Sequence, residues 1–289
     1  MNLPSTPAEL INIALSGALQ TAPAPDEGTW HRLWHFNRLG HLSPIESALL
    51  GGLLANQPSW VFIAGYQAAL RAIFDDLPAE GWIAYAATED ASDPLNHPGT
   101  RIEETPEGWR LFGYKSWVAQ SRHLSHLIVT ARRGGEERPN SSVLVSGTAD
   151  GVSLSHREKP GFLANLSQGF AAFDGALTES PQAYPEESAR NFGRTESRFV
   201  MLAGAGFMLN HTSDSALRDR MAGVALALAG TCKTPEIGAQ VMAAVDREFQ
   251  ALVAAFDSAG LGAAVADWQA DKRLLTMYSG RIQKRADKG

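Results

Sequence analysis

Apolar residues recur at helical spacing from Thr6 to Leu19, where Leu10, Ile11, Ile13, Ala14 and Leu15 carry the pattern. Ser5 or Thr6 can cap this helix, with Glu9 in its first turn. Beyond Pro23 and Pro25 the same period predicts helices over Thr29 to Arg38, Ile45 to Ala55 and Trp60 to Phe74. Pro44 and Pro58 stand where a first helical turn tolerates a residue without an N–H. At Trp82 the pattern changes. Short bulky runs separated by turns follow one another: Trp82 to Ala86, Gly108 to Phe112, His126 to Ala131, Ser142 to Val145, Gly151 to Ser155 and Gly169 to Phe173. Glu107-Gly108 is a tight turn into one of them. A loop rich in Pro, Glu and Ser (Thr178 to Ser188) closes this stretch. The helical period then returns over Glu196 to Leu209, Ala216 to Ala229, Pro235 to Phe256 and Leu261 to Arg285, with alanine prominent, as close helix packing favours.

The pattern divides the chain into an N-terminal helical domain (1–80), a middle antiparallel β domain of barrel or sandwich type (81–190) and a C-terminal helical bundle (191–289). The class is α+β. A length of 289 residues and a 44% hydrophobic fraction are enough for more than one core. A formal charge of -6 and the lack of a basic stripe argue against a nucleic-acid partner. The basic cluster of Lys284, Arg285 and Lys288 reads as a solvated helix end. The single cysteine, Cys232, has neither a disulfide partner nor a His/Asn arrangement to activate it. With no export signal and no apolar run long enough to span a bilayer, a soluble cytoplasmic protein is expected.

Other local constellations read more simply as structure. His31 and His35 are four apart on a helix, a spacing that suits a metal, but Arg32 stands where a zinc protease needs its glutamate. Trp30 and Trp34, interleaved with them, point to an amphipathic helix; no metal is expected. Gly204-Ala205-Gly206 follows helical sequence instead of a strand, so it reads as helix packing and not as a nucleotide loop. A Gly-x-Ser-x-Gly elbow is absent, and Asn140-Ser141-Ser142 formally fits a glycosylation acceptor that means little without export.

Three ordered phrases resemble one family. Tyr85-Ala86-Ala87-Thr88-Glu89-Asp90-Ala91-Ser92-Asp93 resembles the acyl-CoA dehydrogenase signature of Tyr, two small residues and Thr-Glu before a loop ending Gly-Ser-Asp. Trp109 to Ala119, with Gly113-Tyr114-Lys115-Ser116-Trp117, resembles that family's Gly-x-Lys-x-Trp strand pair. Glu196-Ser197-Arg198-Phe199 resembles the opening of its C-terminal helical domain. The resemblance implies a helical, β, helical fold and an FAD cofactor. It implies oxidation of an acyl-CoA or related acyl thioester at its α,β carbons, as in fatty acid metabolism. By the same resemblance Trp117 would lie against the flavin, Tyr85, Ala87 and Thr88 would border its ring edge, and Ser92 would help hold its pyrophosphate. Ala119 stands where the family carries a hydroxyl for flavin N5.

The sequence departs from the family where the base should be. The family's catalytic glutamate lies either just before the arginine matching Arg198, where this chain has Ser197, or in a late segment beside a Gly-Thr pair that is not recognised here. Glu196 adjoins Ser197 but projects about 100° away around a helix, and no catalytic residue is assigned. The loop from Thr88 to Ser92 is short and lacks the usual glycines, and the Arg-x-x-Phe-Gly and Gly-Gly phrases that reach a neighbouring subunit's flavin are missing. These departures leave two alternatives: a degenerate, non-catalytic subunit that binds an acyl ligand or partners a longer homologue, and a flavin monooxygenase on the same fold. Self-association is expected in either case, because a shortened apolar helical layer seeks a partner face.

Overall fold

The computed structural model describes residues 6–21, 23–158, 160–179, 182–234 and 236–288. These form two compact units, one from residues 1–72 with 193–289 and the other from residues 73–192. Ser5, part of the 178–188 loop and the predicted helix start at Pro235 lie outside the described residues. Within them, no helix is long and apolar enough to cross a membrane.

In the helical unit each early helix starts on a cap that the sequence supplies. Thr6 accepts from the Glu9 N–H at 3.2 Å ahead of α1 (Pro7–Leu15), and Asp26 accepts from the Thr29 N–H at 2.7 Å ahead of α2 (Glu27–Phe36). Ser43 and Glu46 make a reciprocal capping box at the head of α3 (Pro44–Leu54). Helix α2 buries Trp30 and Trp34, while His31 and His35 remain half-buried with their Nε2 atoms 3.1 Å apart. Helix α4 (Pro58–Ile73) is buried along every residue from Pro58 to Leu70, which makes it a core helix instead of an amphipathic one. The Trp60 indole N–H and the Gln57 amide both donate to the Ala24 carbonyl, at 2.8 and 2.9 Å, and so fasten the segment before α2.

The long helix α5 (Glu186–Asn210) crosses from the β unit into the helical one. Its helical-unit half packs on α3 and α4 through glycines. A Cβ on Gly52 would overlap the Ala203 carbonyl, one on Gly65 would overlap Val200, and one on Gly206 would come within 2.9 Å of the Leu49 carbonyl. Helices α6 (Ser215–Lys233) and α7 (Ala239–Ser258) pack beside it.

Two sequence expectations for the helices are corrected. Helix α5 starts ten residues before Glu196, inside the stretch read as a loop. Its first turns have no apolar face to announce them, yet Glu186 and Glu187 suit the positive end of a helix dipole. The expected helix from Leu261 to Arg285 is instead broken. Gly260 and Asp267 adopt left-handed backbone at φ 72 and 58, and only the short α8 (Trp268–Asp271) and α9 (Ser279–Ala286) are α-helical. The break lets Trp268 turn inward, with its ring buried against Gly262 and its N–H donating to Asp257 at 2.8 Å.

The β unit contains two sheets. One has the order β1 (Trp82–Ala86), β4 (Leu124–Ala131), β5 (Ser141–Ser146); the other runs β2 (Arg101–Thr105), β3 (Gly108–Ala119), β7 (Gln168–Leu177), β6 (Val152–His156). Inward side chains of both, including Ala84, Leu127, Val129 and Val143 from the first and Leu111, Val118, Ala171 and Phe173 from the second, share one core. Paired backbone bonds between Thr100–Ile102 and Arg132 tie the sheets at one edge. Most pairings are antiparallel, but β1 runs parallel to β4, a direction that a periodicity pattern does not carry. The sequence series also omitted β2, an exposed edge strand in which Ile102 is the one buried residue.

Candidate functional site

The first two family-like phrases meet in the β unit. The Ser116 N–H donates to the Thr88 carbonyl at 2.9 Å, so the end of β1 and the middle of β3 are held side by side. Beneath that contact the Lys115 side chain is fully buried. Its Nζ donates to Glu89 Oε1 at 2.8 Å and to the Thr130 hydroxyl at 3.1 Å. Arg132 reaches the other oxygen of Glu89 at 2.7 Å, and the Thr100 N–H donates to Glu89 at 3.0 Å. Burial alone would push Glu89 up, but the hydrogen bonds from Lys115 and Arg132 outweigh it and hold the carboxyl below its ordinary range. Burial also pulls Lys115 down to about 8 against the attraction of Glu89. The lysine of the Gly-x-Lys-x-Trp phrase is therefore a clamp between phrases, a role the sequence reading missed.

The predicted flavin contacts spread along this clamp. Tyr85 is half-buried against Phe192 and Phe74, with ring centroids 4.4 and 5.8 Å away, and burial raises its pKa to about 12. With Ala87 it lines a cavity of about 300 Å³ that also receives Asn140, Ser142 and Arg190. Thr88 is exposed and Trp117 is half-buried, its indole N–H donating to Gln168 at 3.2 Å. Ala119 is fully buried opposite Gln168 in the β3–β7 register. Close by, Tyr114 stacks between His97 and Phe170 at 4.2 and 5.9 Å, and the Arg157 guanidinium lies 4.6 Å above Phe170.

These groups fit a flat, electron-accepting ring. An accessible indole, an exposed threonine and a stacked aromatic face lie along β3 and the segment fastened to it. Ser92 is differently placed. Its hydroxyl and its N–H both donate to Asp90 Oδ1, at 2.5 and 3.0 Å, and Asp90 also contacts His97 at 3.1 Å. Its donors are thus engaged by a carboxylate, which repels a pyrophosphate at the same place.

In the helical unit Ser197 is buried, and its hydroxyl donates to the Arg194 carbonyl one turn back at 2.8 Å. Its neighbour Glu196 has a different environment. Burial pushes this carboxyl up to about 7, opposed by Arg281, and its charge acts on the buried phenol of Tyr278. The Tyr278 hydroxyl has no hydrogen-bond partner among the described residues. The start of α9 is therefore brought to Glu196, a proximity across about eighty residues of sequence that no periodicity reveals. Burial likewise raises the Cys232 thiol to about 12, so it stays protonated at neutral pH.

The raised pKa makes a stability prediction. A carboxyl whose folded pKa lies above its ordinary value favours the fold when neutral, and that support is lost as pH rises from about 4.5 through 7. Glu196→Gln keeps the neutral form at every pH. We expect it to be more stable than the parent above pH 7, by about 2 kcal/mol after allowing for residual solvent access, and equal to it near pH 4. Urea unfolding at both pH values measures this; equal stability at pH 8 would contradict it.

The fold agrees with that of known flavoproteins. Over its whole length the chain matches a solved FAD-dependent dehydrogenase at 17% identity and a TM-score of 0.59, with 93% of that chain covered. It also matches the FAD complex of PigA at 12% and 0.64, covering 100% of this chain and 98% of the other. Butyryl-CoA dehydrogenase from Megasphaera elsdenii matches at 13% and 0.63, again over 100% and 98%. No protein-family model and no curated protein matches the chain. At these identities the likeness establishes the fold: the helical, β, helical scaffold of the acyl-CoA dehydrogenases.

Proposed function

We propose that this chain is an FAD-dependent oxidoreductase that oxidises an acyl thioester, such as an acyl-CoA, at its α,β carbons. The observation that carries the reading is the fastening of the Tyr85–Asp93 and Gly113–Trp117 phrases by the buried Lys115–Glu89 clamp, on a scaffold shared with an FAD-dependent dehydrogenase and with butyryl-CoA dehydrogenase. Trp117, Thr88 and the backbone from Tyr85 would hold the flavin ring. Bound flavin would supply a two-electron acceptor for the β-hydride. The chain's own task would then be to orient the thioester and to take the α-proton.

A second reading is favoured by Ser92 and Ser197. With the Ser92 donors engaged by Asp90, and a serine standing where the resemblance looks for a glutamate, a subunit that binds an acyl ligand without turning it over also fits. A visible absorption spectrum of purified protein, taken before and after incubation with FAD and desalting, separates the two. The oxidoreductase reading expects a retained flavin band that weakens in Trp117→Ala and bleaches on anaerobic addition of an acyl-CoA. Colourless protein after FAD loading would overturn it.

A further inference from the structure

A cavity of about 210 Å³ opens in the helical unit where the early turns of its part of α5, the start of α7 and the last turns of α9 meet. Its floor is apolar, formed by Ile237, Met242 and Ile282, the last two with 6% exposure. Its charged groups are cationic: Arg198 is 95% buried at the base, and exposed Arg194 and Arg285 stand at the rim, with the neutral Ser197 beside them. Arg198 donates from Nη1 to the Thr231 carbonyl at 3.0 Å, which holds the guanidinium in place. Among the described residues, no carboxylate lines the cavity.

The charges are arranged against one another. Burial disfavours the charged form of Arg198, and Arg194 and Arg285 add to that, while Glu236 acts in the opposite sense. Like charges that converge on a desolvated base are unfavourable unless an anion sits among them. The N-terminus of α7 adds to the same field. Ala239, its first residue, lines the cavity, and the N-cap Gly238 has no side chain to satisfy the first-turn amides.

We infer that this cavity binds a small organic carboxylate, with its oxygens held by Arg198 and the rim arginines and a short aliphatic chain against Ile237, Met242 and Ile282. Guanidinium groups pair with carboxylates through parallel N–H donors, which accounts for arginine at all three positions. The volume admits a chain of a few carbons. All of these residues belong to one compact unit, so the site does not depend on flavin or on the reading proposed above.

Calorimetric titration of the full chain, without added flavin, tests this with hexanoate, with hexanol as the same chain without charge, and with inorganic phosphate as charge without a chain. Hexanoate should bind at least about tenfold more tightly than either control. The Arg194→Ala/Arg285→Ala variant, changed only at exposed rim positions, should keep its far-ultraviolet spectrum and lose hexanoate affinity by about tenfold or more. No hexanoate binding at about 10 mM would overturn the inference. So would equal affinity for hexanol or for phosphate, or an unchanged affinity in the folded double variant.

Discussion

Glu89→Gln should destabilise the β unit by about 3–5 kcal/mol, the range for removing one partner from a buried ion pair. The side chain is nearly isosteric and keeps an oxygen for the Thr100 N–H, so the change is chiefly one of charge. Lys115, fully buried, would then share its pocket with Arg132 and no anion, since both cations now converge on Glu89. Deprotonation gives Lys115 a partial escape, because burial has already drawn its pKa down to about 8. Glu89 now opposes that drop, so without it Lys115 loses its proton at lower pH, and the defect in Glu89→Gln should shrink as pH rises toward 8 and stay level above it. The parent has its own pH signature: Glu89 lies below its ordinary value, so its support is present above pH 4.5 and is lost as acid protonates it through the folded pKa. Hydrogen exchange of β1, β3 and β4 amides at pH 7 and 9 measures the effect in the β unit. Protection equal to the parent at pH 7 would mean that the Lys115–Glu89 pair does not hold the β unit together.

The visibility of that clamp in the sequence was partial, for a physical reason. Lys115 and Glu89 both lay inside recognised phrases, yet Arg132 joins them from 43 residues beyond Glu89, and nothing local marks it. The same limit explains the other differences. Strands buried on a shared core, such as Leu124–Ala131, announce themselves by bulk and branching. The edge strand Arg101–Thr105 leaves three of its five residues exposed and reads as polar sequence. The first turns of α5 carry Glu186, Glu187 and Arg190 with little burial, so their helicity rests on the helix that follows. In the candidate site, Trp117, Thr88 and Ser92 could be named from the order of phrases. The engagement of Ser92 by Asp90 is a matter of loop conformation that sequence spacing does not specify.

Close helix packing sets the second large expectation. Gly52 on α3 faces the Ala203 carbonyl on α5, and the atom that an added Cβ would overlap belongs to backbone, which cannot rotate aside as a side chain can. Gly65 on α4 meets Val200, three residues earlier on the same face of that helix, so α5 is seated on two glycine contacts and cannot move off one without disturbing the other. Alanine at position 52 would gain about 1 kcal/mol of helix propensity. The overlap should exceed that gain and leave a net loss of about 3 kcal/mol, at the upper end of the usual cost of overpacking. Gly223 on α6 supplies the control: it is exposed, nothing lies within 4 Å of an added Cβ, and Gly223→Ala should stabilise by about 0.5–1 kcal/mol. Opposite shifts of the urea midpoint in the two variants would support the packing account. A shift of Gly52→Ala in the same direction as Gly223→Ala would mean that α3 and α5 are not in backbone contact, and that the apparent requirement for glycine at position 52 has no steric origin.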